Sequence, residues 1–321
     1  MTQLANPNSP LILLAGPTAV GKSEVALVLA EKLVGEIVSV DSMQVYRGLD
    51  IGTAKPTQQE QTRVRHHLID VVDLAEPFDA AQFVRLAREA VADIQGRRRI
   101  PILCGGTGLY FKAFLDGLGD SPKADAALRA ELENTPLPDL LTELGAKDPA
   151  AYEKIDRQNA RRVIRAVEVI RLTGRASSQQ RANWSPGRSA TEATVFIGLT
   201  RHSSDLQQRI YARVEKMFEQ GLVAETEELL KHGLAENRTA MQALGYRQVV
   251  EHLRGMRSLP ETIELVKIRT RQFAKRQVTW FKKYGPSTWM NLSFQDMPET
   301  SVDNIIARLH GEKSDCMKAS P

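Results

Sequence analysis

Apolar and polar positions follow two rhythms along the first third of the chain. Residues 11–16, LILLAG, form the unbroken apolar run of a buried strand. Residues 23–33 then carry Val25, Leu27, Val28, Leu29 and Leu33 at helical spacing. EIVSV (36–40) predicts a short buried strand ending at Asp41, and HHLIDVV (66–72) predicts another. FDAAQFVRLAREAVADIQ (78–95) places Phe83, Leu86, Ala90 and Ile94 on one helical face, and IPILC (100–104) is a strand running into GGTG. Strands alternating with helices predict a parallel sheet covered on both faces.

The rhythm changes near Asp120. Up to Arg188 no strand pattern occurs, and DAALRAELEN, PDLLTELGAK and NARRVIRAVEVIRLTG read as helices before the Arg-rich SSQQRANWSPGRS. TVFIGL (194–199) returns to the earlier style. Helical patterns follow over 203–231, roughly 239–253 and 260–284, then a strand, TWMNL, and a helix, SVDNIIARL. We expect a P-loop NTPase-like α/β core, a parallel sheet flanked by helices, in two parts (1–119 and 191–321). An all-helical insertion spans 120–190, and the tail GEKSDCMKASP is expected to be disordered.

Composition changes this picture little. At 42% hydrophobic and 26% charged residues, with a net charge of +4, the chain reads as ordinary globular protein. Its two cysteines, Cys104 and Cys316, support neither a disulfide scaffold nor a zinc module. MTQLANPNSP lacks a basic-then-apolar signal pattern, and no apolar run approaches ~18 residues, so a cytoplasmic protein without membrane attachment is expected.

Chemistry concentrates at predicted strand ends. Gly16-Pro17-Thr18-Ala19-Val20-Gly21-Lys22-Ser23 has the spacing G-x-x-x-x-G-K-[ST], with a strand before it and a helix after it. Its glycines let backbone amides face a phosphate, Lys22 adds a cation, and Ser23 offers a hydroxyl suited to Mg²⁺. Asp41 ends the next strand and should face the same crevice. On the residues alone it is a metal ligand, a general base or a helix cap, and these remain open. Gln44, Tyr46 and Arg47 follow closely, a density of groups able to read a polar acceptor. Gly105-Gly106-Thr107-Gly108 is either a tight turn or a third wall of the crevice. The strand before it lacks the terminal Asp of a second nucleotide-binding motif, which weakens an ATPase reading.

Basic residues cluster elsewhere. KIRTRQFAKRQVTWFKK (267–283) holds Lys267, Arg269, Arg271, Lys275, Arg276, Lys282 and Lys283 and no acid. Helical projection puts Val266, Phe273, Ala274, Trp280 and Phe281 on one apolar face, flanked by these charges. In the insertion, Val163, Ala166, Val167 and Ile170 form a stripe with Arg161 and Arg165 opposite. Uncompensated charge of this density predicts a polyanion larger than a nucleotide.

GPTAVGKS, IVSVDSMQVYRGLDIGTAKP, HHLID, GGTGLY, DRQNARRVIRAVEV, LTRHSSDLQQRIYARVEKMFEQGLVAE, ALGYRQ and TRQFAKRQVTWF occur in this order along nearly the whole chain. With them the chain closely resembles the bacterial tRNA isopentenyltransferase (tRNA dimethylallyltransferase) family. The two lone cysteines leave no place for the zinc finger of its eukaryotic relatives. The resemblance implies transfer of a dimethylallyl group from dimethylallyl diphosphate to the exocyclic amine of the adenosine 3′-adjacent to the tRNA anticodon. It implies Asp41 as general base, diphosphate held by residues 16–23 with Mg²⁺ through Ser23, Arg201 on the leaving group, and Thr18 near the bridging oxygen. It implies tRNA contacts at Asp41, Ser42, Met43, Gln44, Thr107 and Arg129. Further contacts are implied at Gln158, Asn159, Ala160, Arg161 and Arg162, and at Met241, Gln242, Ala243, Leu244, Gly245, Tyr246 and Arg247. The partners expected are thus the tRNA anticodon stem-loop and dimethylallyl diphosphate, bound by a monomer. The rival readings are a P-loop kinase of a small metabolite, a non-catalytic RNA-binding switch, and an isopentenyltransferase acting on free adenine nucleotides.

Overall fold

The computed structural model describes residues 10–119, 122–180, 194–293 and 297–309. In chain order the elements begin β1 (Leu11–Ala15), α1 (Lys22–Leu33), β2 (Gly35–Val40), α2 (Gln58–Arg63), β3 (His66–His67), α3 (Ala80–Gly96), β4 (Ile100–Gly105) and α4 (Gly108–Asp116). Five helices follow: α5 (Ala126–Asn134), α6 (Leu137–Lys147), α7 (Pro149–Lys154), α8 (Ala160–Thr173) and α9 (Ser177–Gln180). The chain closes with β5 (Thr194–Arg201), α10 (Ser203–Glu219), α11 (Leu222–Lys231), α12 (Tyr246–Leu253), α13 (Leu259–Tyr284), β6 (Thr288–Leu292) and α14 (Pro298–Leu309).

The six strands make one sheet in the order β3-β2-β4-β1-β5-β6, and every pairing is parallel. Each central strand buries both faces, as the unbroken apolar runs predict. Leu13, Ala15, Val38, Val40 and Leu103 point into a core closed by Phe83, Ala87 and Ile94 of α3. Ile12, Leu14, Ile37, Ile102, Ile197 and Leu199 point the other way, against Val25, Ala26 and Leu29 of α1 and Val302 and Ile305 of α14. In-register pairing of Ala15 with Gly105 and of Val40 with Gly105 aligns the carboxyl ends of β1, β2 and β4, and β5, level with Ala15 at Gly198, runs on to Arg201. Whatever follows the three aligned strands shares one edge of the sheet.

Several expected elements are shorter than their patterns. Only His66 and His67 of the 66–72 stretch pair with β2. Leu68 and Asp70 adopt φ of 62° and 54°, so the chain leaves the sheet, and Val72 then makes an isolated parallel bridge with Tyr46, outside the six strands. The helix expected over 203–231 is two, broken at Gly221 with φ 98°. The pattern over 239–253 is a 3₁₀ turn at Ala240–Gln242 followed by α12.

The face expected on the long basic helix is also corrected. The buried stripe of α13 is Thr262, Val266, Thr270, Ala274, Gln277 and Phe281, while Phe273 lies outside it, 36% exposed. Val266, Ala274 and Phe281 fix the stripe. At 100° per residue Phe273 falls to its margin.

Residues 116–184 form a compact unit of their own, the remainder of the chain another. The smaller unit is helical, with Leu132, Leu140, Leu144, Val163, Ala166, Val167 and Ile170 buried at its centre. The tail GEKSDCMKASP and most of SSQQRANWSPGRS lie outside the described residues. Among the described residues, no helix is long and apolar enough to cross a membrane.

Candidate active site

Three loops follow the aligned strand ends, and the first is the Gly16–Ser23 loop. Gly21, with φ 106°, ends it and caps α1 with no side chain. The first amides of α1 thus stay unsatisfied by the helix and point at the loop's interior, where an anion would sit. Lys22 Nζ donates to Pro17 O at 2.6 Å. Its removal from water lowers the ammonium from 10.5 to about 8, with nearby Arg213 adding to the fall and Cys104 and Asp41 opposing it. Cys104 lies behind Lys22, its buried thiol raised to about 11 by desolvation. A pre-bent, poorly solvated ammonium suits a ligand that brings two or more negative charges.

Asp41 opens the second loop. Its Oδ1 accepts from the amides of Met43 at 2.8 Å and Gln44 at 3.2 Å, so one oxygen is a turn cap. Oδ2 takes no such bond, so the cap uses one oxygen of the carboxylate. Gln44 is held in turn by Ser39 Oγ at 2.8 Å and by donating to the carbonyls of Thr53 and Ala54 at 3.2 Å. Lys55, only 4% exposed, pins that same stretch to Asp50 and Asp70. Tyr46 and Arg47 do not read an acceptor here. Tyr46 is fully buried, and Arg47 pairs with Asp73 at 2.8 Å.

The third loop is Gly105–Gly108. A Cβ at Gly106 would lie 2.3 Å from Gln277 Nε2, and one at Gly108 would lie 2.2 Å from the Trp280 ring. These glycines let α13 pack against the loop. Gln277 uses that approach to donate to Gly106 O at 2.9 Å while its Oε1 accepts from Thr18 N at 2.8 Å. Thr107 stands half-buried before α4, its amide bonded to Val40 O at 3.2 Å.

Together these loops enclose a cavity of about 110 Å³ lined by Thr18, Ala19, Gly21, Lys22, Ser23, Asp41, Gln44, Cys104, Gly106, Arg213, Phe273 and Gln277, among others. Gly16, Pro17 and Val20 are not in its lining. Val20 is fully buried, and a Cβ at Gly16 would meet Leu199 O at 2.6 Å, so these shape the loop from within.

Arg201 is set apart from the lining too. Its Nε donates to Val20 O at 2.7 Å and its Nη1 to Asp205 at 2.7 Å and Ser293 O at 2.8 Å. It braces the loop, with Nη2 beside Gly21. The arginine that lines the cavity beside Lys22 is Arg213, whose Nη1 donates to Thr18 Oγ1 at 3.2 Å, with Arg209 holding Ala19 O at 2.9 Å. Burial, then the neighbouring Arg209, lowers the Arg213 guanidinium. Arg209, Arg213 and Gln277 escaped the sequence reading because a polar residue on a helix is ordinarily solvated. The i,i+4 spacing of the two arginines was the one available signal.

The remaining expected positions divide by exposure. Ala243, Gly245 and Tyr246 are buried, and Tyr246 Oη donates to Glu225 at 2.6 Å while accepting from Gly52 N. They are enclosed; Gln242 and Arg247 in the same stretch are exposed, with Met241 and Leu244 half-buried. In the helical unit, Gln158, Ala160, Arg161 and Arg162 are exposed around the start of α8, where Asn159 caps Arg162 N at 3.2 Å. Arg129 and Arg165 converge on fully buried Glu168, at 2.5 and 2.7 Å. Arg165 is thus partly neutralised within the unit and does not lie opposite the stripe as a bare charge. In α13 Lys267 is likewise held by Glu215 and Glu264.

The chain matches the family model described as IPP transferase over residues 44–284. It belongs to the IPP transferase family. It is 44% identical over 290 residues to tRNA dimethylallyltransferase 1 of Syntrophotalea carbinolica, covering 88% of this chain and 91% of that one. It is 45% identical over 287 residues to tRNA dimethylallyltransferase of Geobacter metallireducens, covering 87% and 92%. Among solved structures, the tRNA isopentenylpyrophosphate transferase of Bacillus halodurans superposes with a TM-score of 0.69 at 39% identity, covering 94% and 96%. A eukaryotic dimethylallyltransferase acting on tRNA superposes with a TM-score of 0.79 at 28% identity, covering 95% and 80%. The family's α/β architecture is the one described above.

Proposed function

We propose that this chain transfers a dimethylallyl group from dimethylallyl diphosphate to the N6 amine of the adenosine 3′-adjacent to the anticodon of tRNA, releasing pyrophosphate. The observation that carries this reading is that Asp41 lines the same small cavity as the phosphate-binding loop. A carboxylate beside a diphosphate cradle suits a displacement in which one group accepts a proton while another accepts charge.

An adenine amine is a weak nucleophile because its lone pair is delocalised into the ring. As N6 forms its bond to the allylic carbon, the carbon–oxygen bond to diphosphate breaks and the N6 proton passes to Asp41 Oδ2. Charge developing on the leaving diphosphate meets the amides at the start of α1, Lys22 and Arg213. Thr18 is held in place from both its amide and its hydroxyl. Ser23, exposed at the start of α1 and lining the cavity, would hold Mg²⁺. No cluster of three or more His, Cys, Asp or Glu suited to a metal occurs among the described residues. When bound, that ion neutralises diphosphate charge.

The exposed residues around the start of α8 (158 and 160–162) and the exposed bases of α13 are assigned to the tRNA backbone, and the protein to the cytoplasm as a monomer. The target base must leave its stack to reach the cavity. The test is to offer labelled dimethylallyl diphosphate with bulk tRNA and, separately, with AMP, ADP and ATP. Label in tRNA alone supports the proposal. Label in a free nucleotide, or tRNA-stimulated ATP hydrolysis with no label transfer, overturns it.

A further inference from the structure

Phe273 is the aromatic residue lining the Asp41 cavity, and it is also 36% exposed. The apolar pattern of α13 would have placed it in the core, yet that stripe closes without it. It sits instead at the margin of that stripe, with the exposed Arg269 and Arg276 four residues before it and three after it. The guanidinium of Arg276 lies 5.9 Å from the Phe273 ring centroid. One flat apolar ring among cations, at the rim of a polar cavity, is the composition that grips unstacked nucleotides: cations take phosphate, and the ring takes a base face.

We propose that Phe273 is the stacking platform for the adenine delivered to Asp41. This rests on the proposed function and adds the residue that reads the extruded base. The other apolar lining, Ala19, Ala54 and Cys104, offers no face broad enough to replace the stacking an adenine loses on leaving its RNA loop. Phe273 offers one, and its partial exposure leaves it accessible to a base arriving from outside. Since Asp41 lines the same cavity, a base on this ring has its edge available to the carboxylate.

The test compares Phe273→Ala, Phe273→Leu and Phe273→Tyr on an anticodon stem-loop RNA, with 2-aminopurine at the target position in a parallel binding assay. Because the ring is partly exposed and outside the core stripe, all three variants should melt with the wild type. Loss of stacking should lower kcat/KM for RNA about 10–100-fold in Phe273→Ala. Phe273→Leu, apolar but not flat, should fall nearly as far, and Phe273→Tyr should stay within about threefold. KM for dimethylallyl diphosphate should not move. Bound 2-aminopurine should be quenched by the wild type and brighter in Phe273→Ala. A leucine variant as active as tyrosine, unchanged RNA kinetics in Phe273→Ala, or a raised KM for dimethylallyl diphosphate would each overturn the role. These results differ from failure of the function itself, in which the wild-type protein labels no tRNA.

Discussion

Gln277 holds the amide of Thr18: its Oε1 accepts from Thr18 N at 2.8 Å while its Nε2 donates to Gly106 O at 2.9 Å. Only this orientation of the amide satisfies both partners. A helix far along the chain therefore clamps two strand-end loops to each other.

Removing the clamp should loosen the loop. Gln277→Ala deletes two nearly buried hydrogen bonds, so a stability loss of about 1–3 kcal/mol is expected in urea unfolding. Gln277→Glu keeps the bond from Thr18 N but sets a carboxylate oxygen against Gly106 O, beside the diphosphate. Its KM for dimethylallyl diphosphate should exceed that of the alanine variant, by at least tenfold over wild type.

Asp41→Asn separates the two oxygens' roles. An amide oxygen still caps Met43 and Gln44, so folding and RNA affinity should be retained. Single-turnover prenyl transfer should fall ~10²–10⁴-fold. A fall of less than tenfold would reduce Asp41 to its cap.

Lys22 carries a pH signature. Its ammonium titrates near 8 in the folded protein and near 10.5 unfolded, so it binds a proton less readily when folded. The resulting destabilisation is full below pH 8 and disappears as pH rises to 10.5. Lys22→Met should therefore stabilise the ligand-free protein at pH 7, by about 1–3 kcal/mol after loss of the bond to Pro17. That gain should shrink between pH 8 and 10.5. Pyrophosphate binding to the wild type should weaken above pH 8, and to the variant it should be poor throughout.

Basic residues of α13 should differ by their partners. Lys275 and Arg276 are exposed, whereas Lys267 is tied to Glu215 and Glu264. Replacing both Lys275 and Arg276 by alanine should cut the slope of log affinity for tRNA against log salt by about 0.7–0.9 for each phosphate these side chains neutralise. Lys267→Ala should leave the slope unchanged and lower the melting temperature.

The sequence alone determined the sheet, the phosphate loop and the placement of Asp41 beside it. Buried parallel strands leave continuous apolar runs, and a glycine-bounded loop between strand and helix is a local device whose spacing is its geometry. Strand order and register, by contrast, arise from pairings between distant segments. Tertiary structure decided which arginine faces the cavity. Arg201, expected there, braces the loop backbone, and Arg213, one of several arginines on an amphipathic helix, faces the site because α10 packs beside Thr18 and Ala19. It also decided that Tyr246 is core and Phe273 is not. A 26-residue helix repeats its apolar spacing imperfectly, so composition allows more than one stripe. Only packing against the other helices and the Gly106–Gly108 turn selects Gln277 and Phe281 for the interior and leaves one aromatic ring at the cavity's edge.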